Sequence, residues 1–195
     1  MLIDTHCHIN MMVKKKFDIP LTSSEITSAQ TIIDRAHSVG VEIIINVGTS
    51  LAESNNCIAL AQKYPNLWAT VGIHPNDCTS EWHNDFKRII SLVKNKQPNK
   101  IVGIGECGID MHYPDYNLQR QKDAFNAHIE LALEHNLALV VHSRDSYEET
   151  LRVLEKYKND FKPGRGTIHC FSYDLAFAQE AIAMGFVIGI DAPIT

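Results

Sequence analysis

His6 and His8 stand two residues apart in the stretch THCHI, close to the start of the chain. On a helix that spacing would send the rings to nearly opposite faces, whereas on a strand positions i and i+2 share one face. The apolar Met1-Leu2-Ile3 ahead of them favours a strand, so the imidazoles are expected side by side. Two neutral imidazoles so placed can ligate a divalent metal ion; a pair of surface or packed histidines is the other reading the pentapeptide leaves open. Further polar residues stand at the ends of apolar runs downstream: His74 in VGIHP, Glu106 in GIGECGID, His142 in VVHSRD and His169 in IHCFS.

The elements that must position these residues follow a strand–helix rhythm. Short, β-branched apolar runs predict strands over 2–5, 41–47, 67–73, 101–105, 137–141, 167–168 and 186–190. Such continuous runs suit parallel strands covered on both faces. Between them, Ile26, Ala29, Ile33 and Ala36 form a helical stripe behind a capping box at Thr22 and Glu25, with Gly40 as the stop. Leu118, Phe125, Ile129 and Ala132 form another, and Ser146 with Glu149 offers a second capping box. No linker or composition shift divides the chain, so residues 1–195 are expected to form a single α/β domain. The rhythm permits an open doubly wound sheet or a closed barrel. Gly103 to Gly108 formally fits GxGxxG, but an acidic and aromatic loop follows rather than a helix start, which argues against a nucleotide fingerprint. In a (β/α)8 barrel the strand ends form one ring at the catalytic face. His6, His8, His74, Glu106, His142 and His169 would all fall on that ring and form a shared metal site.

Composition bounds the rest. A 195-residue chain with 45% hydrophobic residues can bury a sizeable core. No apolar run of about 18 residues exists, so no membrane span is expected. The N-terminus shows no basic-then-apolar secretory pattern. Five cysteines without CxxC spacing favour free thiols in a reducing, cytoplasmic compartment. Strand alternation turns Cys7, Cys107 and Cys170 away from their ligand neighbours and toward the helix layer, against a thiolate zinc site. A net charge of −5 argues against sequence-blind attraction to nucleic acid, though bound cations would add local positive charge.

THCH near the N-terminus, then VGIHP, GIGECGID, VVHSRD and IHCFS, in this order and roughly this spacing, resemble the TatD family of metal-dependent deoxyribonucleases, within the amidohydrolase-like TIM barrels. The resemblance covers essentially the whole chain. It implies that His6 and His8 hold a first metal, that Glu106 bridges two metals, and that His142 and His169 bind the second. It further implies that His74 approaches the scissile phosphate and that Arg144 contacts phosphate, so Glu106, His74 and Arg144 are the expected catalytic groups. Two close divalent ions can polarise a phosphodiester, activate water and stabilise the leaving oxygen. Imidazole with carboxylate suits Zn or Mn, while Mg prefers more oxygen, and the sequence does not choose among the three. DNA is the expected partner, at single-stranded ends. An ester or amide hydrolase, such as a D-aminoacyl-tRNA deacylase, would need nearly the same ligands, and a catalytically weakened metal-binding remnant is a third reading.

Other residues carry weaker signals. Asp110 can orient a ligand or sit solvated in a loop. The loop Met111-His112-Tyr113-Pro114-Asp115-Tyr116 can offer rings for base stacking, or those rings can simply pack. Lys14-Lys15-Lys16 reads as a solvated turn that could touch a nucleic-acid backbone. The family's last strand, whose aspartate completes the first metal site, is expected beyond Thr195: a barrel of this class needs eight strands in roughly 250 residues. The sequence is therefore expected to lack the last strand and helix, as a short form or a fragment, with two exposed sheet edges. Asp191-Ala192-Pro193 echoes the missing motif from the seventh strand, and whether Asp191 substitutes for the missing aspartate stays open.

Overall fold

The apolar runs form seven strands: β1 Leu2–Cys7, β2 Val41–Val47, β3 Leu67–Val71, β4 Ile101–Asp110, β5 Ala138–Arg144, β6 Gly166–Ile168 and β7 Phe186–Ile188. The computed structural model describes residues 1–191. Helices α1 Ile9–Met12, α2 Ser23–Ser38, α3 Leu51–Lys63, α4 Trp82–Lys94, α5 Leu118–His135, α6 Tyr147–Glu155 and α7 Leu175–Ala183 alternate with the strands. This is the expected α/β class, a (β/α)8-type fold with seven strands among the described residues.

The chain divides into two compact units, residues 1–72 with 84–102, and 73–83 with the chain from 103 onward. In the first, β1, β2 and β3 pair in parallel, with Asp4 opposite Ile44 and Ile44 opposite Leu67. Ile44, Val47, Leu60, Leu67, Val71, Ile89 and Val93 are buried there. The capping box forms as expected: the Thr22 hydroxyl accepts from the Glu25 N–H, and the Glu25 carboxylate accepts from the Thr22 N–H. In the second unit β4, β5, β6 and β7 pair in parallel, with Ile104 opposite Leu139 and Val141 opposite Ile168. Phe125 and Ile129 of α5, Leu154 of α6 and Phe177 of α7 are buried here, together with Ile104, Ile109 and Leu139.

Three local features depart from expectation, each for a physical reason. Strand β4 runs on to Asp110, because Gly105 and Gly108 let it press against β5. A Cβ on Gly105 would lie 2.5 Å from the Val140 carbonyl oxygen, and one on Gly108 would lie 2.0 Å from that of His142. Both have positive φ, 131° and 147°. The GxGxxG-like cluster is thus a strand-packing device. The second capping box does not form. Ser146 is the N-cap of α6 but makes no side-chain cap bond. Its hydroxyl donates to the Ile109 carbonyl at 2.8 Å instead, within a buried hydroxyl group of Ser143, Ser146 and Thr150. Glu149 pairs with Lys122 and Arg152. Finally, β6 stops at Ile168, so Cys170 lies past the strand with φ 47° and escapes the alternation expected of it.

Candidate metal centre

The second unit brings four of the expected residues together around a single carboxylate oxygen. Glu106, on β4, is buried, and its Oε1 lies 2.7 Å from His169 Nε2, 2.8 Å from His142 Nδ1 and 3.5 Å from His74 Nε2. His142 comes from β5, while His74 and His169 follow β3 and β6. One ligand atom each from Glu106, His142 and His169 lie within 4.8 Å of one another, as do those of His74, Asp110 and His142. Both groups have the donor chemistry of a Zn- or Mn-type site.

Hydrogen bonding assigns each ring a role. The Nε2 of His142 is 3.0 Å from Asp110 Oδ2, so its N–H donates to that carboxylate while Nδ1 turns to Glu106. A carboxylate behind a ring, with the other nitrogen presented forward, is the usual support of a metal-binding histidine. Burial opposes charge on His142, but the hydrogen bonds and charges of Asp110 and Glu106 outweigh it and raise the pKa to about 9. Burial likewise opposes charge on Asp110, and its bonds to His142, the His112 N–H and Asn76 win, lowering it to about 2. Asp110 is therefore a buried, fixed acceptor rather than a solvated loop residue.

His74 is the opposite case. Burial, then the neighbouring His142, lowers its pKa to about 4, so the ring is neutral. Its Nδ1 accepts the Asn76 N–H at 3.2 Å, which leaves the proton on Nε2, the nitrogen turned toward Glu106. His74 thus presents an N–H donor to the cluster, fit for a phosphoryl or carbonyl oxygen.

The first unit holds the other pair. His6 lies within β1 and His8 directly after it, with their Nε2 atoms 3.1 Å apart, so the shared face expected of them is present. The Nδ1 of His8 donates to the Val47 carbonyl at 2.9 Å, leaving the Nε2 lone pair to face His6. The turn after β1 is fixed by Asn46, whose side-chain oxygen accepts the Ile9 N–H at 2.7 Å.

Lys14 does not belong to a solvated turn. It is buried and pairs with Glu53 at 2.5 Å. Glu53 also accepts from Asn10, Asn56 and the Asp18 N–H. Burial opposes the Glu53 charge, and these donors, led by Lys14, hold its pKa below the usual carboxylate value. Arg144 ends β5, exposed, with its guanidinium carbon 5.8 Å from the centre of the Tyr113 ring.

The cysteines are protonated thiols. Burial, with Asp4, raises Cys7 to about 11, and burial raises Cys107 well above its ordinary value. Cys107 is fully packed, its Sγ 3.7 Å from the Val140 carbonyl. Asp191 lies beside His169, Oδ2 to Nδ1 3.5 Å, while Ala192 and Pro193 lie outside the described residues. Sequence reasoning missed Asn46, Asn76, Glu53 and His128. The buried His128 donates from Nδ1 to the Ala124 carbonyl at 2.7 Å and accepts the Ile73 N–H on Nε2 at 3.0 Å, next to His74. Only an i, i+4 helical spacing hinted at the first of these bonds.

Comparison with known proteins places the chain in a family. The family described as TatD related DNase matches residues 3–195. The 3'-5' ssDNA/RNA exonuclease TatD of Citrobacter rodentium is 36% identical over 178 residues, 89% of this chain and 65% of that protein. The chain thus spans just under two thirds of that relative's length. An uncharacterized metal-dependent hydrolase, YabD of Bacillus subtilis, is 30% identical over all 195 residues, which cover 70% of it. The crystal structure of YJJV, a TatD homolog from Escherichia coli K12, superposes with a TM-score of 0.84 at 28% identity, over 100% of this chain and 69% of that one.

Proposed function

Since the chain belongs to the TatD-related DNase family, we propose that it is a metal-dependent phosphodiesterase acting on DNA at single-stranded ends. The observation that carries the reading is the convergence of three imidazole nitrogens within 3.5 Å of one Glu106 oxygen. The Citrobacter relative, an exonuclease on ssDNA and RNA by name, supports the substrate class. Glu106, His142 and His169 would hold one divalent ion, Mn, Zn or Mg, and His6 with His8 would hold a second. The bridging role of Glu106 rests on the family resemblance. When bound, such ions supply Lewis acidity toward the phosphoryl group and lower the pKa of water.

The protein's own groups do the rest. Asp110 keeps the His142 proton on Nε2, so that Nδ1 stays available as a ligand. His74 donates its Nε2–H to a phosphoryl oxygen, held in that tautomer by the Asn76 N–H. Arg144 neutralises a neighbouring phosphate. The free thiols fit a reducing compartment, the cytoplasm, and no helix among the described residues is long and apolar enough to cross a membrane.

The test is to incubate metal-loaded protein with end-labelled single-stranded DNA and, in parallel, with aminoacyl-tRNA. The expected result is stepwise shortening of the DNA that chelation stops and His74→Ala slows by about 10² or more, the typical loss for a positioned donor. Release of the amino acid with intact DNA would move the reading to an ester hydrolase. Tight metal binding without turnover on either substrate would mark a metal-binding remnant.

A further inference from the structure

Beside the metal-ligand cluster, within the second unit, lies a cavity of about 510 Å³ lined by Asn76, Tyr113, Tyr116, Asn117 and Arg120, among others. None of the roles assigned above uses it. We infer that this cavity receives the base of the nucleotide next to the scissile phosphate in a single-stranded nucleic acid; the inference deepens the phosphodiesterase reading and rests on it.

Local structure sets the walls. Tyr113-Pro114-Asp115-Tyr116 is a tight turn, with the Tyr116 N–H donating to the Tyr113 carbonyl at 3.3 Å. Proline at the second position presets its φ for such a turn. The turn places both tyrosines on the cavity wall, still 48% and 39% exposed. These half-exposed phenol rings still offer faces to the cavity, and a base stacks on such faces irrespective of its identity.

The charge pattern selects a base over a phosphate. Arg120 lines the cavity, but Asp115 lines it too, so the site carries one charge of each sign. One Arg120 N–H is used on the Cys78 carbonyl at 3.2 Å, and among the described residues no carboxylate pairs with the guanidinium. Donors from Arg120 and the Asn76 and Asn117 amides, with acceptors from Asp115 and those amides, suit the mixed edges of a neutral ring. A second phosphate would meet Asp115.

The cavity is also registered to the chemistry. Asn76 lines it while donating its side-chain amide to Asp110 at 3.0 Å and its backbone N–H to His74. Tyr113 lines it while stacking under Arg144, the expected phosphate contact. The cavity thus shares one wall residue with the network of His74 and Asp110 and another with Arg144.

The experiment measures binding of metal-loaded protein to hydrolysis-resistant phosphorothioate tetranucleotides by fluorescence anisotropy. An abasic site is moved along the tetramer one position at a time. Loss of the base at one position should weaken binding about tenfold, the scale of one stacked base. Tyr113→Leu and Tyr116→Leu should weaken the intact tetramer and abolish the dependence on that base, while Tyr116→Phe, which keeps the ring, should retain it. Equal binding of the intact and all abasic tetramers, or no effect of either leucine variant, overturns the inference. Cleavage is scored separately on ordinary DNA. Base-dependent binding without cleavage would sink the nuclease reading and leave the cavity assignment standing; cleavage without base dependence would do the reverse.

Discussion

In the first unit His8 rests its Nδ1–H on a backbone carbonyl, that of Val47, whereas in the second His142 rests its Nε2–H on the Asp110 carboxylate. Both devices fix a tautomer and aim the other nitrogen forward. They differ in charge. The carboxylates around His142 make that cluster electronegative, and a cation relieves it. The charge of the first unit lies away from its rings, in the buried Lys14–Glu53 pair that anchors the segment after His8. One region spends its buried charge on the candidate ligands and the other on holding chain. Metal affinity should therefore respond to carboxylate substitutions in the second unit, and stability to those in the first.

The strongest way to break this contrast is Glu106→Gln. It keeps the shape but removes the charge on which the imidazoles converge, so the second-unit ion should be lost. A loss of metal affinity exceeding about 10²-fold is expected, above the ceiling usual for supporting groups. Elemental analysis of the purified variant checks it; unchanged stoichiometry would remove Glu106 from the ligand set.

Lys14→Met probes the other side. It leaves Glu53 buried with amide donors but no counter-charge, a change that costs about 3–5 kcal/mol. For a chain of this size that is a drop in Tm of roughly 6–20 °C. Metal content of the second unit should stay as it was. A variant that kept its Tm but lost metal would reverse the assignment of roles.

Asp110→Asn should come next in size. The amide can still accept from His142 but no longer offsets its charge, and loss of such a partner typically costs 10–100-fold in metal affinity. The effect should appear as faster metal loss to a chelator, with a modest drop in Tm because the amide NH2 then faces the His112 N–H.

Much of this was legible in the sequence, because the existence and order of the strands follow from local patterning. His6 and His8 could be placed on one face from strand spacing, and polar residues recurring after successive apolar runs selected Glu106, His142 and His169, although Glu106 and His142 lie inside their strands. What could not be read depends on contacts between distant segments. Lys14 looked like one of three solvated lysines because its partner Glu53 lies 39 residues away. Ser146 looked like a helix cap because the competing Ile109 carbonyl lies 37 residues upstream. Cys170 obeyed an alternation that fails once β6 ends two residues before it. His128 gave no sign that it fixes the backbone beside His74.

Asp191 offers the smallest and most discriminating effect. Its Oδ2 lies 3.5 Å from His169 Nδ1, against 3.0 Å for Asp110 and His142, and its side chain is a third exposed. At that distance and exposure, solvent screening leaves little of the interaction. Asp191→Ala should therefore change second-unit metal affinity only about twofold to threefold, well below Asp110→Asn, with no loss of the second ion. If Asp191 instead replaces the aspartate that the family pattern places on its last strand, the substitution would remove a ligand. Metal content would then fall by a whole ion and nuclease activity would vanish. Titrating the variant with Mn²⁺ while following DNA cleavage separates a small shift in affinity from a missing ion. A missing ion would also overturn the view that carboxylate support in this region is concentrated on His142.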